Sequence, residues 1–483
     1  VARWSKGGYR PGRRAAAAAL LVLAPALTAR GETSTSLMVP GAYAVTPEQA
    51  AFLDKLERDT FAFFWDATPA RTGLTPDRLS QTAISSIAAV GFALTSYTVA
   101  VERGWITRLE AATRTLTTLQ FLWLSRQGPE PSGVSGHKGF YYHFLDSGTG
   151  KRWPGAELST IDTALLMAGV LACQAFFTGD SQQELAIRSV ADQLYRRVDW
   201  AWATSRFRPP LLSMGWTPEH GFLDSDWHGY NEAMILYILA LGSPTHPIAP
   251  TAWPAWTETY RWDASDGFPR VAFDPLFGHQ YSHVWIDFRK IQDAYMRAKG
   301  IDYFVNSTRA TYANRAYCIA NPAKWAGYDA QVWGITASDG PGPAVPQPLG
   351  QFRSYWARGA GPDKRDDGTI AATAAGGSVP FAPELSIPTL AHFQAQFGEQ
   401  LYGRYGFKDA FNLSFAARTG KGWFDDDYVA IDQGPILLMI ENFRTDHVWR
   451  LMRSHPYIRA GLARAGFGGG WLDPTLQAIT AGR

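Results

Sequence analysis

The sequence predicts an all-α fold: an (α/α)6 toroid of six inner and six outer helices in a single domain. Three observations lead there. Helical periodicity runs through most of the chain, and no long alternating strand series interrupts it. Segments that are apolar nearly all round alternate with segments that carry a charged face. Clusters of Asp, Glu, His, Tyr and Trp recur at the starts of the apolar segments.

Residues 1–30 read as an export signal. Arg3, Lys6, Arg10, Arg13 and Arg14 make a basic start, and Ala15 to Leu27 is an apolar stretch too short to span a bilayer. A linker over 31–46, a domain over 47–475 and a tail over 476–483 follow. Helices are expected near 47–66, 81–103, 107–126, 159–178, 182–203, 229–241, 252–262, 281–299, 302–320, 386–402, 432–451 and 455–465. Thr46-Pro47, Ser80, Ser159 and Ser386 are the expected start signals. By their apolar content, 81–101, 159–175, 229–241, 283–298 and 432–443 are inner helices. The charges of 107–126 and 182–203 make them outer ones. The stretch 137–153 reads as a hairpin or extended loop with Gly148 and Gly150 at its turn. The Gly-, Pro- and Ala-rich stretch 336–384 is too long for a plain connection and is expected to be a flap or insertion.

Composition narrows the function classes. Hydrophobic residues are 46% of the 483, enough for a large core, and the net charge of +2 gives no basic face for nucleic acid. No membrane span is expected in the mature chain, and a monomer is. Cys173 and Cys318 are the only cysteines. Two cysteines make no disulfide framework; they either pair or stay as buried thiols. The 19 Trp, 20 Tyr and 27 Phe are mostly core, yet many neighbour Gly, His, Asp and Asn in loops. Flat rings beside polar groups suit a carbohydrate cleft.

The polar clusters are "GLTPDRLS" (73–80), "WPGAELSTIDTALL" (153–166), "SDWHGYNEAM" (225–234), "GHQYSHVWIDFRK" (278–290) and "WFDDDYVAIDQGPILL" (423–438). Each opens an inner helix, and in a toroid those ends share one face. Helix N-termini favour carboxylates as anions. Glu232 differs, because it stands at the edge of an apolar run, where a raised pKa would keep it protonated as a general acid. Glycoside hydrolysis needs a second carboxyl group. The candidates are Glu157, read in the loop before the helix expected from 159, and Asp162, read in the first turn of that helix, with Asp409 and Asp432 further along. Tyr141, Trp153, Trp227, Tyr230, Trp285 and Trp423 are candidates for stacking on sugar. His143, Asn231, His228, His283, Arg289 and Gln433 are candidate hydroxyl partners. His279 and His283 are four apart but lack HExxH, so no metal is expected, and no other cofactor. There is no GxSxG elbow, P-loop or dinucleotide fingerprint.

The stretches "GLTPDR", "SSIAAVGFAL", "GHKGFYYHFLD", "ELSTIDTALLMAG", "GYNEAMILYILALGSPTHP" and "YGFKDAFN…WFDDDYVAIDQGPILLMIENFRT" resemble the bacterial glucoamylase-like family, whose characterised members form glycoside hydrolase family 144, the β-1,2-glucanases. The resemblance covers about residues 47–475. It implies an exported enzyme that hydrolyses β-1,2-glucan to sophorose and short oligosaccharides, by inversion and without a metal. It places the family's glutamate on Glu232 and its essential aspartate on Asp162, with Glu157 beside it. Asp409 and Asp432 match further acidic positions. Two other readings stand beside this one: hydrolysis of another glucan linkage, and a periplasmic glycan-binding protein without catalysis.

Overall fold

The computed structural model describes residues 43–341, 355–361, 364–415 and 422–473. The expected signal 1–30, the linker as far as residue 42 and the tail 476–483 lie outside the described residues. The helices, in chain order, are α1 (Pro47–Ala67), α2 (Ile87–Glu102), α3 (Arg108–Leu124), α4 (Thr160–Phe176), α5 (Gln182–Arg197), α6 (Met234–Gly242), α7 (Ala252–Thr257), α8 (Tyr281–Trp285), α9 (Ala294–Lys299), α10 (Tyr303–Ala320), α11 (Ala372–Gly376), α12 (Pro383–Phe397), α13 (Ala430–Thr445), α14 (His447–Ser454) and α15 (Pro456–Arg464).

The toroid is built by alternation, with α9 an extra short helix between α8 and α10 and α14 and α15 following α13. Among the described residues, α2, α4, α6, α8, α11 and α13 are buried almost throughout and form the inner ring. The helices α1, α3, α5, α7, α10 and α12 keep a polar or partly exposed face and lie outside them. The core is the apolar material between the rings. The closest inner contact pairs α2 with α4. A Cβ on Gly169 would overlap the carbonyl of Gly91, so the two backbones touch and only glycine fits there.

Strands among the described residues are two or three residues long and serve the rim. Ile84–Ser86 pairs antiparallel with Phe144–Asp146, Leu158–Ser159 with Gly215–Thr217, and Thr369–Ala371 with Ala410–Asn412. Each first-named strand leads directly into an inner helix, so the site face carries hydrogen-bonded backbone, not free loop. The hairpin expected over 137–153 is there in pieces, with Gly150 at a left-handed φ of 70°.

Several boundaries differ from the expectation, each for a local reason. The helix expected over 81–103 starts at Ile87, because residues 84–86 are drawn into the rim sheet. The helix expected from 229 starts at Met234. Gly229 takes a φ of 69°, and the Asn231 side chain accepts the N–H of Ala233 and donates to the carbonyl of His228. The expected helix 281–299 breaks after Trp285. Asp293 caps a new helix, and the residues between run as irregular chain. Only 281–285 is therefore an inner helix. Asp446, at φ 65°, divides 432–451 into α13 and α14. The remaining inner helix, α11, lies inside the Gly/Ala-rich stretch where a flap was expected; small residues let its backbone lie against α13.

Thr46 and Ser159 cap α1 and α4. Ser80 and Ser386 do not act as caps. Ser80 sits in a 3-10 turn and bonds Asp427, while Ser386 is buried inside α12. Cys173 and Cys318 are free and buried.

Candidate active site

Helix α6 follows a tight turn, and Glu232 sits in it. Its carbonyl accepts the Ser282 hydroxyl, and the same Ser282 oxygen accepts the N–H of Ile235. The backbone at Glu232 is thus tied to α8. The residue is 9% exposed. Burial, helped by the negative charge of Asp162, pushes its carboxyl up to about 7.

Beside it stands a carboxylate–imidazole–carboxylate group. His143 Nδ1 lies 2.8 Å from Glu157 and its Nε2 3.6 Å from Asp162. Burial acts to lower the imidazole, but the charges of Asp162 and Glu157 outweigh it and raise it to about 9. His143 is therefore an imidazolium at neutral pH. Burial works to raise Glu157, yet the hydrogen bond and charge of His143 prevail and its pKa is lowered. Burial raises Asp162 in spite of His143 and the Ser159 hydroxyl. Glu157 lies in the chain just before the rim strand and Asp162 in the first turn of α4.

A second group of acids lies at the head of α13. Asp432 is in its first turn, and Asp409 leads into the strand 410–412. Both carboxyl groups are raised by burial, and each is raised further by Asp339. Two buried carboxyls in contact cannot both ionise, so the pair keeps at least one proton. The Asp339 N–H donates to Asp409 Oδ2 at 2.6 Å, and the Tyr355 hydroxyl reaches Asp432 Oδ2 at 3.4 Å. Arg78 meets Asp339 at 2.5 Å, Asp77 at 3.3 Å and Asp427 at 3.8 Å.

Tyr281 lies between the two groups: burial, and after it the negative charges of Asp432, Glu232, Asp409 and Asp162, raise the pKa of its hydroxyl. Its hydroxyl donates to the carbonyl of Ile431 at 3.1 Å. That carbonyl is free because Pro435, four residues on, has no N–H to give it.

The structure brings together Glu232, Asp162, Glu157, His143, Asp409 and Asp432. Gln433, next in α13, is buried and donates to the carbonyl of Phe407. Trp153 and Trp423 are half-buried on chain entering the same rim, and His228 is exposed against Arg208. Trp227 donates to Thr160, Asn231 is spent on its own turn, and Tyr230 is buried among Tyr260, His279 and Tyr303. Four candidates lie elsewhere. Tyr141 is buried and donates to the carbonyl of Leu122. Trp285 is buried and donates to Thr95. His283 is buried beside Ser307, where burial lowers its pKa. Arg289 lies over Trp449 and pairs with Asp287 and Asp446. Rings without open faces have no surface for a sugar, and the cation is already paired.

Sequence reasoning did not single out Asp77, Arg78, Tyr281, Asp339 or Tyr355. The first three sit inside the quoted polar clusters, so the signal was there. Asp339 and Tyr355 flank residues 342–354 and carry no local signature. The residues best placed to hold a cation are Asp339, Asp409 and Asp425, with oxygens within 4.8 Å of one another. Asp339 is already paired with Arg78, and one oxygen of Asp409 with the Asp339 N–H.

A family described as "Putative glucoamylase" matches residues 224–456. A crystal structure of the same description from Bacteroides uniformis is 32% identical, with a TM-score of 0.76, over 88% of this chain and 99% of that one. The chain belongs to the bacterial glucoamylase-like family. This is the family its motifs resemble. The glucoamylase-like chain is also similar to an endo-β-1,2-glucanase from Chitinophaga pinensis, solved with sophorotriose and glucose. That structure is 28% identical, with a TM-score of 0.77, over 89% of this chain and all of that one (100%). A curated relative from Parabacteroides distasonis, an exo β-1,2-glucooligosaccharide sophorohydrolase acting at the non-reducing end, is 30% identical over 457 residues. The match takes in 87% of this chain and 58% of that relative's length.

Proposed function

We propose that this chain is a glycoside hydrolase that cleaves β-1,2-glucan to sophorose and short β-1,2-gluco-oligosaccharides. The observation that carries the reading is Glu232: a buried carboxyl held protonated near neutral pH, facing further carboxyl groups across Tyr281. The activities of the relatives from Chitinophaga and Parabacteroides support the linkage.

Glu232 protonates the leaving glycosidic oxygen. The Asp409–Asp432 pair, sharing one proton, carries one negative charge and takes the proton of the attacking water at Asp432, directly or through a sugar hydroxyl. Asp162 and Glu157, paired with His143, hold sugar hydroxyl groups beside the acid. The outcome is inversion, which asks for a carboxyl separation of about 6.5–9.5 Å with a water between. Trp153 and Trp423 supply stacking faces. We place the working enzyme outside the cytoplasm, on the signal-like residues 1–30, and take it to be a monomer. No described helix is long and apolar enough to cross a membrane.

The test is incubation of the purified chain with linear β-1,2-glucan, soluble starch and β-1,3-glucan, following released sugars by size. Sophorose-series products from the first substrate alone are expected. Cleavage of another glucan with β-1,2-glucan intact overturns the linkage and leaves the acid. Binding of β-1,2-glucan without turnover favours the glycan-binding reading. Azide added to an Asp432→Ala variant should restore turnover as a glucosyl azide; the same rescue of Asp162→Ala instead would move the base to Asp162.

A further inference from the structure

The Asp409–Asp432 pair is not held by its own residues alone. Asp409 Oδ2 accepts the backbone N–H of Asp339, so the position of Asp339 decides where Asp409 points. Asp339 is 1% exposed, and the partner that offsets its charge is Arg78, at 2.5 Å. Arg78 comes from a different part of the rim. It lies in the segment before α2, where the Asp77 carbonyl accepts the N–H of Ala430 at the head of α13, and the Leu79 N–H donates to the carbonyl of Tyr428. One guanidinium thus ties the start of the first inner helix to the acids at the start of the last.

The charged and titratable groups facing the pair come from four directions. Asp77 and Arg78 belong to the segment before α2. Asp339 and Tyr355 stand on either side of residues 342–354, and Tyr281 on α8. Asp425 and Asp427 come from the chain leading to α13. Among the described residues, Arg78 contacts three of these carboxylates, Asp77, Asp339 and Asp427.

We propose that Arg78 is a positioning residue for the reaction: by pairing with Asp339 it anchors and screens the residue that holds Asp409, and so sets the pH range over which Asp432 can accept a proton. This rests on the reading of the Asp409–Asp432 pair as the base. The electrostatics run the same way, since Asp339 raises both members of the pair, and its full charge would act on them without Arg78.

The experiment uses the full chain and the variants Arg78→Ala, Arg78→Lys and Asp339→Asn. Two quantities are read: kcat/KM on linear β-1,2-glucan against pH, and Tm from pH 4 to 9. In Arg78→Ala the acidic limb of kcat/KM should move up by about one pH unit, roughly a tenfold loss on the acid side. Arg78→Lys should stay near the parent, and Asp339→Asn should move the limb down. An equal loss at every pH, with the limb in place, overturns the proposal and leaves Arg78 a merely structural role. The Tm series separates this from the parent reading. The pair's folded pKa lies above its unfolded value of 3.8, so its stability contribution is present below 3.8 and is lost as pH rises through the folded value. Arg78→Ala should extend that loss to higher pH even if β-1,2-glucan proves not to be the substrate; parallel Tm curves would refute the coupling. Should Arg78→Ala fail to fold, the downward shift expected of Asp339→Asn, beside the unmoved limb expected of Arg78→Lys, decides the matter.

Discussion

Replacing Glu232 by glutamine tests the poised acid in two independent ways. The glutamine keeps the shape and cannot ionise. In the folded chain Glu232 titrates near 7, against an ordinary value of 4.5. At about 1.4 kcal/mol per pH unit, that difference is roughly 3 kcal/mol. The sign follows from where the proton is. Below pH 4.5 both folded and unfolded chains hold it, and no penalty arises. Between 4.5 and 7 the unfolded chain releases it while the folded chain keeps it, so stability falls as pH rises, and above 7 the loss is complete. Glu232→Gln should therefore gain on the parent by up to about 3 kcal/mol between pH 4.5 and pH 7. It should also lose about 10²–10⁴ in kcat, the range expected for a lost general acid. Urea unfolding at pH 4, 5.5, 7 and 8 reads the first effect, and turnover of β-1,2-glucan the second. If the two chains differ in stability by the same amount at every pH, Glu232 ionises normally, and the argument for a poised acid fails.

Three further outcomes are expected. Gly169→Ala should destabilise the fold by about 1–3 kcal/mol in urea unfolding, because the new methyl meets the Gly91 carbonyl across the tightest inner pair; an unchanged midpoint would show that α2 and α4 can part. Burial pushes the Cys173 thiol up to about 12 and raises Cys318 as well, so neither should react with a thiol reagent at pH 8 in the folded chain, and both should react in denaturant without added reductant. His143→Asn removes the imidazolium between Glu157 and Asp162, so both carboxyl groups should titrate higher, and kcat/KM should fall most at low pH; a loss uniform with pH would assign His143 to packing alone.

The alternation of buried and amphipathic helices is legible residue by residue, because burial on all sides must be written as an unbroken apolar run. Capping signals such as Thr46 and Ser159 are equally local and were equally legible. So was the placing of Glu157 before α4 and of Asp162 in its first turn, since both follow from where that helix begins. The sequence also marked Glu232, since a carboxyl at the edge of "AMILYILAL" is out of place unless something uses it.

Other features belong to the tertiary structure. The break after Trp285 depends on Asp293 finding Trp253 and Met296 to bond, and no periodicity announces it. The helix α11 is five residues of Ala, Thr and Gly, whose helical state depends on neighbours that bury it. Trp285 and Tyr141 read like cleft residues because an aromatic ring is written the same way in a core as on a sugar platform. Only the packing tells which face stays open. The Arg78–Asp339–Asp409 chain joins residues hundreds of positions apart. Charges that meet only across a closed ring leave no local pattern, so the acid was visible in the sequence, and the groups that tune its opposite number were not.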